Sequence, residues 1–200
     1  MIKSKQDLRD YLEHDSKNYS QLFPLKVGIL RYIRSFVCSP ITDQTKIWAY
    51  IKTLRYAEYW MNKKGVLPFL MSVYYMSKLR RLSRITGFQI PIRCIGKGLT
   101  IWHWGTIIIN EDVQIGDFCT LRPGVVIGHK REGEGSPVIG SNVEINSGAR
   151  IIGEISIGDD VIIATNTVVT RDIPSHCIVA GTPAKILKTR EDYNCQWERV

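Results

Sequence analysis

The 200-residue chain lacks the usual sequence features of membrane-spanning, secreted and metal-stabilised proteins. No run of 18 apolar residues occurs, so no membrane-spanning helix is expected. The N-terminus lacks the basic-then-apolar layout of a signal peptide, and we expect a cytoplasmic protein. The five cysteines are scattered, with no C-x-x-C pair and no Cys/His cluster at zinc spacing. We therefore expect reduced thiols and no metal site.

Acidic residues are scarce in the first half of the chain. Residues 1–90 hold 16 Lys and Arg against 6 Asp and Glu, whereas residues 91–200 hold 11 against 13. Two interpretations of this basic half stay open: a solvated helical face, or contact with an anionic partner or a membrane surface. No nucleic-acid partner is expected.

The second half of the chain has a branched aliphatic residue at almost every sixth position. Ten of the 11 positions in the series fit, and they are Ile109, Ile115, Leu121, Ile127, Gly133 (the exception), Ile139, Ile145, Ile151, Ile157, Ile163 and Val169. The residue four positions after most of these aliphatics is small or β-branched, as at Val113 and Cys119. A helix repeats near 3.6 residues and a strand at 2, so short strands joined by tight corners explain the spacing. We predict a mostly β fold, a left-handed parallel β-helix of hexapeptide repeats, after an N-terminal α-helical region.

Two interruptions break this repeat. Ile95, Ile101 and Ile107 share one phase, but the later series begins at Ile109, so two extra residues must be accommodated after Ile101. The tetrapeptide W-H-W-G at 102–105 lies at this slip, where a bulge can redirect a side chain. The second interruption, at 128–137, is rich in glycine and charge and predicts a protruding loop.

Capping and breaking residues predict three helices in the first half. Ser4 with Asp7 predicts a capping box. The predicted helices cover about 4–19, 42–65 with Thr42 or Asp43 as cap, and 68–86 with Gly87 as stop. The predicted domains are a helical region at 1–90, a β-helix at 91–188 and a tail at 189–200. The apolar stretch 66–76 is bracketed by lysines and arginines, which leaves packing against the coil, a neighbouring subunit or lipid open.

The second half resembles a known family. The pieces that match are I-G-K-G-L-T-I-W-H, G-T-I-I-I-N, the repeats and A-G-T-P-A-K, over about residues 88–188. They resemble the hexapeptide-repeat acyltransferases, and within them the serine acetyltransferase-like branch. The helical first half looks like the shorter region of members that modify capsular or exopolysaccharide sugars.

The resemblance implies an acetyl-CoA-dependent enzyme in which His103 is the general base. Imidazole suits the role because its ordinary pKa, about 6.5, leaves neutral base at pH 7. Acetyl transfer to a hydroxyl is then direct, without a covalent enzyme intermediate and without a metal. Carried over by position, Ser147, Thr165 and Lys185 are the expected acetyl-CoA contacts, in a groove between subunits of a homotrimer.

Three departures from the family pattern bear on the acceptor. Trp102 stands where serine acetyltransferases carry Asp, and Gly135-Ser136 stand where they carry Arg-His. The Asp that orients the histidine would fall near Phe88. Because these changes remove charges that would recognise an amino acid, we expect a sugar hydroxyl as acceptor.

Aromatic and polar residues near these departures are the expected acceptor contacts. Trp102 and Trp104 offer flat faces for stacking on a sugar ring, and His129 and Ser136 lie in the loop. His129 could also serve as a second acid or base, or be a solvated loop residue. The alternative function is serine O-acetyltransferase of cysteine synthesis, and a third hypothesis is a binding scaffold without catalysis.

Overall fold

Three α-helices form the N-terminal region of the computed structural model, which describes residues 1–17, 19 and 43–189. They are α1 (Lys5–Ser16), α2 (Asp43–Met61) and α3 (Val66–Thr86). The predicted capping box is confirmed: the Ser4 hydroxyl accepts from the Asp7 N–H at 3.0 Å, and the Asp7 carboxylate accepts from the Ser4 N–H at 2.8 Å. Gly87 ends α3 in the left-handed conformation, as predicted. The proposed Thr42 cap and the tail from 190 onward lie outside the described residues.

Short strands follow the helices in regular succession. Among the described residues they are β1 (Phe88–Gln89), β2 (Thr100–Ile101), β3 (Ile107–Ile109), β4 (Gln114–Ile115), β5 (Thr120–Leu121), β6 (Val126–Gly128), β7 (Val138–Ile139), β8 (Glu144–Ile145), β9 (Arg150–Ile152), β10 (Ser156–Ile157), β11 (Ile162–Ile163), β12 (Val168–Val169), β13 (Cys177–Ala180) and β14 (Lys185–Thr189).

The strands stack into three sheets that form the faces of a coil. Their orders are β1-β3-β6-β9-β12 for sheet A, β10-β7-β4 for sheet B and β14-β13-β11-β8-β5-β2 for sheet C. All pairings are parallel except that of β13 with β14. The chain visits sheets A, B and C in turn, so the parallel hexapeptide-repeat coil is confirmed. β1 is already part of it, slightly before the predicted domain boundary at residue 90.

The six-residue series forms the core of the coil. Every aliphatic member of it is buried, and the small positions Val113 and Cys119 face inward as well. Gly133 is exposed, because the loop between β6 and β7 carries it away from the coil. Ile127 and Ile139 therefore occupy successive faces although 12 residues separate them. β3 buries both Ile107 and Ile109, one from each phase of the repeat.

A buried ion pair attaches the helices to the first coil. The Arg55 guanidinium donates to the Asp15 carboxylate at 2.8 Å, and both side chains are almost fully buried. The same guanidinium donates to the carbonyls of Ile95 and Gly96, and Asp15 accepts from the Leu99 N–H. Each buried charge is thus paired and hydrogen-bonded, which offsets much of the cost of removing it from water.

Two tyrosines satisfy the backbone at the open end of the coil. The Tyr19 hydroxyl donates to the Ile101 carbonyl and accepts from the Ile101 N–H, both at 2.8 Å. Tyr50 makes longer contacts of 3.4 Å to the same groups of Ile90. Burial raises the pKa of Tyr50 to about 12, so its hydroxyl stays protonated. The helical region therefore covers strand edges that would otherwise be open to another chain.

The outward face of α3 divides into an apolar and a basic half. The exposed apolar side chains of the first half are Val66, Leu67, Phe69, Leu70, Val73 and Tyr74. The second half exposes the cations Lys78, Arg80, Arg81 and Arg84, together with Ile85. Packing against the coil of the same chain is one of the arrangements predicted for the apolar stretch 66–76. It buries only part of that stretch. None of the described helices combines the length and the hydrophobicity of a membrane span.

Candidate active site

The corner between β2 and β3, at 102–106, is longer than its counterpart in the next coil. Ile101 pairs with Leu121, 20 residues further on, whereas Ile109 pairs with Ile127, 18 residues further on. The two extra residues predicted from the repeat therefore lie in this corner.

Backbone bonds hold the corner from both sides. The Gly105 N–H donates to the Thr86 carbonyl at the end of α3, at 2.9 Å, and the Gly124 N–H of the next coil donates to the Thr106 carbonyl at 2.6 Å. Gly105 has a φ of +139°, and a Cβ there would lie 3.0 Å from the Cβ of Pro123. Glycine thus permits a tight corner whose position is fixed by α3 and by the next coil.

His103 projects from this corner and is exposed. Within the described residues, no side chain or backbone group forms a hydrogen bond with its imidazole. Phe88, near which the resemblance implies an orienting Asp, is fully buried and packs edge-on against Tyr50 at 5.1 Å. The described part of one chain therefore presents an accessible imidazole without the group that would orient it.

The two tryptophans beside His103 differ in environment. Trp102 is 43% exposed, whereas Trp104 packs partly against the core. The Lys46 ammonium of α2 lies 4.5 Å from the centre of the Trp104 ring, which covers one face of that indole with a cation. Of the two indoles, Trp102 offers the more open face to a ligand.

Ser147 and Thr165 lie on the same edge of the coil as His103, in later coils. Each occupies the corner between sheet C and sheet A, as the His103 corner does. The corners are stacked, because the Gly148 N–H donates to the Pro123 carbonyl at 3.0 Å and the Asn166 N–H donates to the Ser147 carbonyl at 2.9 Å. Three of the predicted site residues therefore share one edge.

Lys185 lies near the upper end of this edge. It begins β14, pairs with Ala180 of β13 and is exposed. The connecting turn contacts the edge, since the Thr182 hydroxyl donates to the Asn166 carbonyl at 3.3 Å. An ammonium group is thus available at the end of the column of corners, where it suits an anionic ligand.

His129 lies at a different edge, the corner between sheets A and B. Its Nδ1 is hydrogen-bonded to the side-chain amide of Asn110, the corner residue of the coil below. The two residues line an open cleft of about 480 Å³. The apolar floor of the cleft is formed by outward side chains of sheet A, namely Ile108, Val126 and Ile152.

Ser136 and its neighbour Gly135 lie at the far end of the same loop. The Ser136 hydroxyl is buried and has no hydrogen-bond partner among the described residues. A Cβ at Gly135 would lie 2.5 Å from the carboxyl carbon of Glu154, so a larger residue would have to displace that side chain. Gly135-Ser136 is therefore a compact pair beside a carboxylate.

Within one chain, the predicted residues form two groups rather than one. His103 precedes β3 and Asn110 follows it, so the width of sheet A separates the His103 edge from the His129 edge. Sequence reasoning did not identify Asn110, although it ends the motif G-T-I-I-I-N. In the described ranges, no group of three or more His, Cys, Asp or Glu side chains could hold a metal ion.

Comparisons with known proteins agree with the hexapeptide repeat. Residues 136–171 match the family model for the bacterial transferase hexapeptide (six repeats). The chain is 39% identical over 119 residues to a serine acetyltransferase of Helicobacter pylori strain 26695, a match that covers 57% of this chain and 70% of that protein. The chain belongs to the serine acetyltransferase family of hexapeptide-repeat transferases.

Other family members are longer than this chain, and some of them have solved structures. A serine acetyltransferase of Synechococcus elongatus is 36% identical over 131 residues, which cover 64% of this chain but only 51% of that relative. The chain thus spans about half the length of that family member. The serine acetyltransferase structure from Brucella abortus covers 92% of this chain and shares its fold, with a TM-score of 0.68 at 24% identity. A serine acetyltransferase solved in complex with CoA gives a TM-score of 0.66 at 21% identity, over 92% of this chain and 71% of that one.

Proposed function

We propose that the protein is an acetyl-CoA-dependent O-acetyltransferase with His103 as general base. The observation that carries the proposal is the accessible imidazole on the elongated corner, on the same edge as Ser147 and Thr165. Family membership supports acetyl-CoA as co-substrate, because a solved relative is a complex with CoA. We also propose that the coil is left-handed, as the resemblance implies.

The chemistry follows from the position of the base. His103 takes the proton of an acceptor hydroxyl as that oxygen attacks the thioester carbonyl. The negative charge that develops on the carbonyl oxygen needs N–H donors, and the tetrahedral species then expels the CoA thiolate. The proton held by His103 passes to the leaving sulfur, so the cycle ends with an ester, CoA and a neutral imidazole.

For the acceptor, L-serine is the first candidate. The relatives named above are serine acetyltransferases, and one solved relative, from Neisseria gonorrhoeae, is a complex with serine. The comparisons thus favour serine over the sugar that the sequence departures led us to expect. They give no support to a polysaccharide-modifying subtype.

A sugar hydroxyl remains the second candidate because of one specific observation. Trp102 exposes an indole where the family carries Asp, and the Gly135-Ser136 pair lies beside the Glu154 carboxylate instead of supplying cations. These residues offer little to the carboxylate of an amino acid.

The proposed assembly is a homotrimer with CoA between neighbouring coils. We propose two alternative partners for the exposed apolar half of α3. It packs either against a further copy of the chain or against an anionic membrane surface. Mass measurement by light scattering, with and without anionic vesicles, distinguishes these two arrangements.

The test measures CoA release by the purified protein. L-Serine and a panel of sugars and nucleotide sugars are offered separately as acceptors, with His103→Ala as the variant and His176→Ala as a matched control outside the site. We expect turnover with one acceptor class and a loss of at least about 10²-fold in kcat for His103→Ala. Full activity in that variant would remove the proposed base, and turnover with serine alone would exclude the sugar candidate.

A further inference from the structure

We propose that His129 is a second catalytic group of this acetyl transfer and that it acts on the substrate held by a neighbouring subunit, with Asn110 as its positioning residue. The inference rests on the proposed function and its site between neighbouring coils, and adds a residue and a role. In this role the Nε2–H of His129 donates a hydrogen bond to the thioester carbonyl oxygen.

Asn110 fixes the tautomer of His129. Asn110 turns its amide nitrogen toward Nδ1 of His129, and because an amide nitrogen only donates, Nδ1 accepts in this orientation. A neutral imidazole that accepts at Nδ1 carries its proton at Nε2. The free end of the ring is therefore a hydrogen-bond donor, which is what a developing oxyanion requires.

The backbone beneath this pair is fixed. The Asn110 N–H donates to the Ile127 carbonyl at 2.9 Å, and the Gly153 N–H donates to the Gly128 carbonyl at 3.0 Å. A Cβ at Gly128 would lie 3.3 Å from the Cβ of Asn110, so glycine leaves room for the asparagine side chain. His129 thus follows a residue held in the stack of coils, although it begins a loop.

The cleft beside the pair suits an acyl thioester. Its floor is apolar, formed by Ile108, Val126 and Ile152. Its polar lining residues are Gln89, Asn110, Glu111 and His129. An acetylated pantetheine arm combines methylene and methyl groups, which suit the apolar floor, with two amides and a terminal thioester carbonyl, which need polar partners. A solvated loop histidine would need neither the cleft nor the bonded partner.

The geometry of a single chain separates His129 from the proposed base. β3 lies between the corner that carries His103 and the corner that carries Asn110. Both histidines can therefore meet one thioester when sheet A of one copy faces the His103 edge of the next. In that arrangement His103 takes the hydroxyl proton and returns it to the thiolate, while His129 keeps its own proton and stabilises the oxygen.

Mixing two inactive variants tests the shared site. His103→Ala and His129→Ala subunits, each with a different affinity tag, are co-expressed and purified through both tags. Each hetero-trimer then contains one interface that keeps an intact histidine of each kind, so the purified hetero-trimers would regain about one third of the wild-type sites. Recovered activity supports the proposal, whereas hetero-oligomers that form without recovery overturn it.

The tautomer is tested separately by nitrogen NMR at a pH where imidazole is neutral. We expect ¹⁵N shifts of the Nε2–H form for His129 and of the Nδ1–H form for His14, whose Nδ1 lies 2.8 Å from the Asp10 carbonyl. Asn110→Asp replaces the donor with an acceptor, so His129 should change to the Nδ1–H form while His14 does not change. An Nδ1–H signal for His129 in the wild type would contradict the proposal.

Kinetics of the same variants separate this proposal from the proposed function. We expect kcat to fall about 10²-fold in His129→Ala and in Asn110→Asp, as for the loss of one oxyanion donor, with a smaller change in KM for acetyl-CoA. If His103→Ala is inactive but both of these variants keep kcat within about twofold of wild type, only the role of His129 is wrong. If His103→Ala is fully active, the proposed function itself is wrong.

Discussion

The coil and the helical region are stabilised in different ways. In the coil, one kind of contact recurs, because aliphatic side chains stack on their equivalents in the coils above and below, as Ile115, Ile139 and Ile157 do. The helical region instead depends on single contacts that occur once, such as the Asp15–Arg55 pair. Damage to a repeated contact leaves many equivalents in place, whereas damage to a unique buried polar contact leaves its partner unsatisfied.

The largest effect is expected from Arg55→Ala. Removing the guanidinium leaves the Asp15 carboxylate buried without its cation, and we expect the free energy of unfolding to fall by about 3–5 kcal/mol. The matched control is Arg122→Ala, since Arg122 pairs with Glu144 at the same 2.8 Å but is 41% exposed. That exposed pair should contribute at most about 1 kcal/mol. Denaturant unfolding measures both, and equal losses would contradict the distinction between the two pairs.

The next largest effect is expected in the coil. Ile145→Ala removes a fully buried side chain between Leu121 and Ile163 and should cost about 2–5 kcal/mol. Ile162→Ala is the control, because Ile162 lies on the same sheet but points outward and is only half-buried. Thermal and denaturant unfolding of the two variants should differ clearly in midpoint. A loss at Ile162 as large as that at Ile145 would show that the inward series is not the main source of stability.

A smaller effect is expected where the helices cover the coil edge. Tyr19→Phe leaves both backbone groups of Ile101 without their partner and should cost about 1–3 kcal/mol. Tyr50→Phe should cost less, because its contacts to Ile90 are 3.4 Å long. Hydrogen exchange at the Ile101 amide should accelerate in the first variant only. Unchanged protection there would contradict the role of the Tyr19 hydroxyl.

The effect that is smallest near pH 9, and that grows as pH rises, is a dependence of stability on alkaline pH. Burial raises the pKa of the Cys94 thiol to about 12 and that of Cys119 to about 11, from an ordinary value of 9.0. Between pH 9 and these values the unfolded chain loses thiol protons that the folded chain keeps, so the free energy of unfolding falls as pH rises. The slope is at most about 1.4 kcal/mol per pH unit for each thiol.

Unfolding in the presence of a phosphine reductant at pH 8, 9 and 10 measures this slope. The double variant Cys94→Ala with Cys119→Ala is the control, since Ala149 already fills one of the small inward positions of the repeat. A slope as steep in the double variant as in the wild type would show that other groups cause it.

The sequence predicted those parts of the site that depend on periodicity. The change of phase between Ile101 and Ile109 located the long corner and His103 within it, because a parallel coil accepts extra residues only at a corner. The six-residue repeat also places Ser147 and Thr165 at corners between sheet C and sheet A, on the edge that carries His103. Asn110 was not identified, since its partner His129 lies 19 residues away and one coil higher.

By itself the sequence determined the fold of the coil, its core and the position of its two irregular segments, because a six-residue period allows few other structures. Only the tertiary structure decided what covers the open end, which charges are buried and which corners adjoin each other. Those features depend on contacts between single residues distant in the chain, such as Arg55 with Ile95, and no periodic pattern encodes them.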